Sequence, residues 1–187
     1  MGSDLVARDK ETFQKYGITH VVNCAADYSE NYHINDGVSY RSYYLKDHVK
    51  EDIACVFYDA IKFMQDARDQ GGKVYVHCVQ GISRSATICI AYLMLTQKFS
   101  FKDGEMYVKG RRACVNPNLR FITQLKWFYQ RLYDPSFDCL SVNPRVFAIS
   151  PHTDSDPSRV VCKLLMQNLF YRSHETYYLD PRGMFIV

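Results

Sequence analysis

His77-Cys78-Val79-Gln80-Gly81-Ile82-Ser83-Arg84-Ser85 stands between the β-branched and aromatic run Lys73-Val74-Tyr75-Val76 and the apolar run Ser85 to Met94. The first run reads as a strand. The second is too long for most strands and reads as a helix. The stretch is therefore a loop that leaves a strand and enters a helix N-terminus. Cys78 and Arg84 bracket five residues within it. At a helix N-terminus, unpaired backbone N–H groups and the positive end of the helix dipole favour an anion. A thiolate gains from the same groups, although a thiol of ordinary pKa, about 8.5, is mostly protonated at neutral pH. The backbone of Val79, Gln80, Gly81, Ile82 and Ser83 is predicted to hold phosphate oxygens, with Gly81 allowing a tight fold. Arg84 supplies a planar pair of donors for two of them. Ser85 is positioned to donate to the sulfur. His77 is expected to orient the loop through its ring N–H groups. This arrangement suits phosphoryl transfer to sulfur and hydrolysis of the resulting phosphocysteine.

The surrounding chain alternates in the same way. Helices are predicted over 4–16, stopped by Gly17, and over 51–70, where Ile53, Val56, Phe57, Ala60, Ile61 and Met64 recur at helical spacing. Two more are predicted near 102–112 and 118–133, the last burying Leu119, Ile122, Leu125, Phe128, Tyr129 and Leu132. Strands are expected at Val21-Val22-Asn23, ending at Cys24, and at Tyr40 to Leu45. The fold class is α/β, with a central, mostly parallel sheet flanked by helices. Such sheets bind ligands at the C-terminal ends of their strands, where Cys78 lies.

Composition narrows the function. The 187 residues are 47% apolar and 23% charged, with a formal net charge of +3. No global basic excess calls for nucleic acid. No run of 18 apolar residues and no apolar stretch at the N-terminus predicts a membrane span or a secretory signal. Seven cysteines stand at 24, 55, 78, 89, 114, 139 and 162, without zinc-ligand spacing. They fit a reducing compartment, and neither metal nor cofactor is expected.

The nucleophile stretch, followed by Ala91-Tyr92-Leu93-Met94, resembles the dual-specificity protein phosphatases, and among them the MAP kinase phosphatases. Gly17-Ile18-Thr19-His20-Val21-Val22-Asn23-Cys24 resembles the family's early strand. Asn116-Pro117-Asn118 with Phe121, Gln124 and Leu125 resembles its last helix. The likeness covers residues 1 to about 133. It implies the dual-specificity phosphatase fold and a general acid on a loop some thirty residues before the nucleophile. Asp47 lies 31 positions before Cys78 and matches. The other reading of Asp47 is a helix-capping carboxylate, a role that Asp52 fits better. The resemblance also implies that Asn118 supports the loop, and that the substrate is a phosphorylated protein of the MAP kinase class. No nucleic acid or membrane partner is expected. A monomer in the cytoplasm, and also the nucleus, is expected. The family opens with a strand ahead of Gly2-Ser3, so an edge strand is expected to be missing. In the family the strand ending at Cys24 lies beside the one delivering Cys78. Cys24 is then either core filler or a thiol that resolves oxidised Cys78.

Residues 1–134 are thus read as a catalytic domain and 135–187 as a C-terminal extension. In the extension, Asn143 to Ile149 reads as a strand, 150–157 as a polar loop, and Arg159 to Gln167 as a short helix. Thr176 to Asp180 and Gly183 to Val187 read as a hairpin around Pro181-Arg182. This tail resembles the segment after the catalytic domain in plant-type MAP kinase phosphatases and looks like a truncated gelsolin-like repeat, without implying actin or calcium. Uncharged Val79, Gln80 and Ile82 favour a substrate with one phosphate per binding event. Arg41, Lys46, Lys50, Arg111, Arg112 and Arg120 either ring the cleft or are solvated faces. Tyr43 and Tyr44 either line its entrance or fill the core. Two other functions stay open: a phospho-binding scaffold without turnover, and a phosphatase for a lipid, glucan or RNA end.

Overall fold

A computed structural model describes residues 1–134, 146–153, 156–166 and 184–186. The chain divides into two compact units, Met1–Leu132 and Tyr133–Val187. The first unit is built on three parallel strands, β1 (His20–Asn23), β2 (Ser39–Ser42) and β3 (Val74–His77), in the order β2-β1-β3. Its helices are α1 (Asp4–Arg8), α2 (Lys10–Tyr16), α3 (Phe57–Asp69), α4 (Arg84–Gln97), α5 (Phe101–Arg111) and α6 (Leu119–Tyr133).

Side chains alternate across a strand. Val21 and its register partner Tyr75 therefore share a face, and both pack with Ala7 of α1 and Phe13 of α2. Val22 and Val76 point to the opposite face and are buried too. The helices touching β1 and β3 there are α3 and α4. Helix α3 buries one stripe, Phe57, Ala60, Ile61, Met64 and Ala67, at helical spacing. Helix α4 buries residues all round its first two turns, as a helix in the middle of a domain must. Its N-terminus receives the chain from β3, and this delivers the nucleophile loop to the C-terminal end of the sheet.

Several boundaries differ from the sequence reading. The helix predicted over 4–16 is two helices. Asp9 breaks it, with an extended backbone and a carboxylate that accepts from the Glu11 N–H and caps α2. The helix predicted over 51–70 begins as a 3₁₀ turn, Ile53–Val56, before α3. Tyr43 is fully buried and belongs to the core. In α6 the buried residues are Phe121, Gln124, Leu125 and Phe128, each buried apolar ring or chain contributing about 1.5–3 kcal/mol. Leu119, expected inside, is 80% exposed. Gly2 makes an isolated parallel bridge to His77 beside β3.

The second unit contains β4 (Val146–Thr153), β5 (Asp156–Met166) and β6 (Met184–Ile186), antiparallel in the order β5-β4-β6. The helix expected from 159 is wrong, because those residues continue β5 as far as Met166. Val160 and Val161 are β-branched, and the ladder to β4 overrides the weak helical pattern. The strand expected to end at Ile149 runs on to Thr153. Of the predicted hairpin, 176–183 lies outside the described residues, while Met184–Ile186 pairs with β4.

Candidate active site

Four consecutive carbonyls of the loop are held from outside it. Val79 O accepts from the Asp4 N–H at 3.0 Å, and Ile82 O from the Asn116 N–H at 3.0 Å. Gln80 O accepts from Arg112 Nη2 at 3.0 Å and Gly81 O from Arg112 Nε at 2.9 Å. In a trans peptide the C=O and the following N–H point in opposite directions. Turning these carbonyls outward turns the amides of Gln80, Gly81, Ile82 and Ser83 inward. The Gly81 N–H is seen doing so, donating to Cys78 Sγ at 3.3 Å. Gly81 itself has φ +71°, and a Cβ there would come within 2.4 Å of the Gly2 carbonyl carbon. It must be glycine because the N-terminal segment presses on the loop from behind.

Cys78 is buried beneath this ring of amides. Burial pushes its thiol up. The Ser85 hydroxyl and amide, the Arg84 guanidinium and the Gly81 amide outweigh that and leave its pKa below the ordinary value. The Ser85 Oγ lies 3.3 Å from the sulfur. Arg84 is 7% exposed and donates through Nη1 to Leu45 O at 2.9 Å. Its Nε is buried without an acceptor among the described residues, and a phosphate oxygen in the cavity that Arg84 lines would supply one.

Asp47 lies at the same cavity, of about 730 Å³, together with Cys78, Val79, Gln80, Ile82, Ser83, Arg84 and Asn118. Its Oδ1 accepts from Ser83 Oγ and from Asn118 Nδ2, both at 2.8 Å. Its other oxygen has no hydrogen-bond partner among the described residues. Asn118 joins three parts: its N–H donates to Ser83 Oγ at 3.2 Å, and its Oδ1 caps α6 by accepting from the Phe121 N–H at 3.0 Å.

His77 is fully buried, with its ring stacked on Tyr75 at 5.8 Å between centroids. The role expected for its ring N–H groups does not appear in this form. Neither ring nitrogen makes a hydrogen bond among the described residues. Burial lowers its pKa to about 4, opposed in part by the Cys78 backbone, which lies near without reaching hydrogen-bond geometry. His77 packs under the loop, beside the Cys78 backbone.

The sequence reading brought Cys78, Arg84, Asp47, Ser85, the loop backbone and Asn118 to one place, and the fold does join them. It missed two jobs. Arg112, grouped there with basic residues of the cleft, holds the loop's carbonyls instead. The Ser83 side chain, as well as its backbone, takes part by tethering Asp47. The ring of arginines does not form. Arg111 lies over the Tyr107 ring at 3.5 Å, Arg120 over Trp127 at 5.3 Å, and Arg41 over Phe63 at 5.3 Å and beside Asp59. Tyr28, Lys46, His48 and Asn116 complete the cavity lining.

Among the described residues no group of three or more His, Cys, Asp or Glu side chains is arranged to hold a metal ion. No helix of the described residues is long and apolar enough to cross a membrane.

Residues 1–131 match the family model described as dual specificity phosphatase, catalytic domain. The chain is 38% identical over 187 residues to the protein-tyrosine-phosphatase MKP1 of Arabidopsis thaliana, covering 100% of this chain and 23% of that protein. It is 35% identical over 155 residues to dual specificity protein phosphatase 1 of Mus musculus, covering 83% of this chain and 42% of the relative. The chain therefore spans less than half the length of these curated relatives. The crystal structure of DUSP15 matches with a TM-score of 0.65 and 29% identity, over 69% of this chain and 81% of that one. Human tyrosine phosphatase-like serine/threonine/tyrosine-interacting protein matches with a TM-score of 0.62 and 33% identity, over 70% and 89%.

Proposed function

Because the chain belongs to the dual specificity phosphatase family through its catalytic domain, we propose that it hydrolyses phosphotyrosine and phosphoserine or phosphothreonine in proteins. In this reading the Cys78 thiolate attacks phosphorus in line with the leaving oxygen. The S–P bond forms as the P–O bond breaks. Asp47 gives its proton to the leaving oxygen, and the hydroxyl amino acid departs. Asp47, now a carboxylate, takes a proton from water as that water attacks the phosphocysteine. Inorganic phosphate leaves and the thiolate returns. The inward amides of 80–83 and Arg84 hold the three equatorial oxygens throughout. The observation that carries this reading is the set of four outward-held carbonyls over a sulfur whose pKa is lowered.

The substrate we propose is a MAP kinase, in keeping with the resemblance of the nucleophile stretch to the MAP kinase phosphatases and with the uncharged side chains of Val79, Gln80 and Ile82. We further propose residues 1–134 as the catalytic domain, acting as a monomer in the cytoplasm and nucleus, and 135–187 as an extension of gelsolin-like character. The free thiols of Cys24, Cys55, Cys78, Cys89 and Cys114 agree with a reducing compartment.

The test is phosphate release from a doubly phosphorylated peptide, with an inositol phosphate as competitor. Release should occur and should vanish in Cys78→Ser, which retains binding. Asp47→Asn should slow substrates with poor leaving groups most. Turnover by Cys78→Ser, or equal loss for every leaving group with Asp47→Asn, would overturn the assignment of roles.

A further inference from the structure

The cavity holds a second set of nitrogen donors, one of them a lysine ammonium, that the chemistry above leaves unused. Lys46 and His48 stand on either side of Asp47 in the acid loop, and both line the cavity. Both are exposed. The Lys46 ammonium has no ion-pair or hydrogen-bond partner among the described residues. The Lys50 N–H donates to His48 Nδ1 at 3.1 Å. With Nδ1 accepting, the ring proton of neutral His48 lies on Nε2 and is available as a donor. Asp47 is the one carboxylate among the lining residues, and its Oδ1 is already occupied by Ser83 and Asn118. Arg84 is committed to the phosphate under attack. Arg41, Arg111, Arg112 and Arg120 are engaged elsewhere, as described above.

We propose that Lys46 and His48 form an anion subsite beside the phosphate cradle, taking a second negatively charged side chain of the substrate close to the phosphoresidue attacked. The proposal rests on the phosphatase reading. Asp47 must approach the leaving oxygen, so its two sequence neighbours are held next to the scissile group. Residues two apart on an extended chain are separated by about 7 Å, and an extended substrate advances about 3.3 Å per residue. The subsite therefore reaches a side chain one or two positions along. A phosphate and a carboxylate share the required chemistry, and the two sources differ in charge.

The experiment uses the full chain and three peptides. Each carries one phosphotyrosine, with alanine, glutamate or phosphothreonine two residues away, and loss of the tyrosyl phosphate is followed by mass. A simple aryl phosphate is run alongside. The wild-type kcat/KM should favour an anionic neighbour over alanine by about tenfold, as for a charge-assisted contact at a partly exposed site. The double variant Lys46→Gln, His48→Gln should bring that ratio close to one, and added salt should shrink it in the wild type. Preference for both anionic peptides assigns a general anion subsite, and preference for phosphothreonine alone assigns a second-phosphate subsite. Equal constants for all three peptides, or a preference that survives in the double variant, overturn the proposal. Failure of the wild type on the aryl phosphate would instead defeat the phosphatase reading.

Discussion

Replacing Arg112 with alanine removes the donors from the Gln80 and Gly81 carbonyls, two of the four that keep the loop amides facing inward. The Nε bond to Gly81 O is part-buried and the Nη2 bond to Gln80 O is exposed. A hydrogen bond to a charged group contributes about 1.5–3 kcal/mol, and an exposed one nearer to 0.5 kcal/mol. Their joint loss is then about 2–3.5 kcal/mol. If the freed peptides rotate, the cost falls on every state that binds a phosphoryl group. At about 1.4 kcal/mol per factor of ten, kcat/KM drops about 30- to 300-fold. Arg112→Lys separates this positioning role from simple attraction. Lysine keeps the charge but has no planar fork to span two carbonyls. It should therefore recover little activity, and the loss in Arg112→Ala should be insensitive to salt. The assay is kcat/KM on an aryl phosphate at low and high ionic strength, with thermal melts to confirm folding. Full activity in Arg112→Lys, or a deficit that closes with added salt, would refute the argument and leave Arg112 as a charge that draws substrate in.

Ser85→Ala removes a donor within 3.3 Å of the Cys78 sulfur. Since the hydroxyl helps to lower that pKa, its loss should raise it. The thiolate is the reactive form, so the acid limb of the pH profile should move to higher pH. Alkylation rate against pH measures it, and an unmoved midpoint rejects the role. His77 makes a different prediction. Its pKa falls from 6.5 to about 4 on folding, mainly through burial. Below pH 6.5 the unfolded chain takes a proton that the folded chain refuses until about pH 4. Stability should therefore decline through that window, by about 3 kcal/mol in all. Denaturant melts of the wild type and of His77→Gln should show this part of the slope disappear, and an unchanged slope would reject it. For Cys24, register pairs Asn23 with His77, and the Cys24 N–H donates to His77 O at 2.8 Å. Cys24 and Cys78 are the next positions along neighbouring strands, about 4.8 Å apart, within the usual disulfide span. After peroxide, attack by the Cys24 thiol on oxidised Cys78 would release the oxygen as water and form the disulfide. Burial and the nearby Cys78 hold the Cys24 thiol well above its ordinary pKa, so the step should be slow. Mass spectrometry showing over-oxidised Cys78 beside free Cys24 would exclude it.

The parts of the site readable before the fold are those whose chemistry is local. Cys78, Gly81, Arg84 and Ser85 fall within eight residues, and a strand signal before them with a helix signal after them orients the loop. Asp47 was reachable only through spacing supplied by a resemblance, because a lone carboxylate ahead of a helix is equally a cap. Arg112 carried no such signal. An arginine at a helix end reads as solvated charge, and only the fold brings its fork to the Gln80 and Gly81 carbonyls. The Ser83 hydroxyl was masked by the role of its own backbone. In the second unit, β5 was missed because a short run holding Val160 and Val161 carries both patterns, and the partner strand decides between them. These misses share one cause. Periodicity and motif report what a residue does for its neighbours in sequence. The donors that turn the loop's amides inward come instead from Asp4, Arg112 and Asn116, two stretches far apart in the chain. The nucleophile's chemistry is therefore written in nine consecutive residues, while the geometry that makes it usable belongs to the whole first unit. Substitutions well outside the loop, at the N-terminal segment or after α5, should then register first as a raised Cys78 pKa and only afterwards as lost stability.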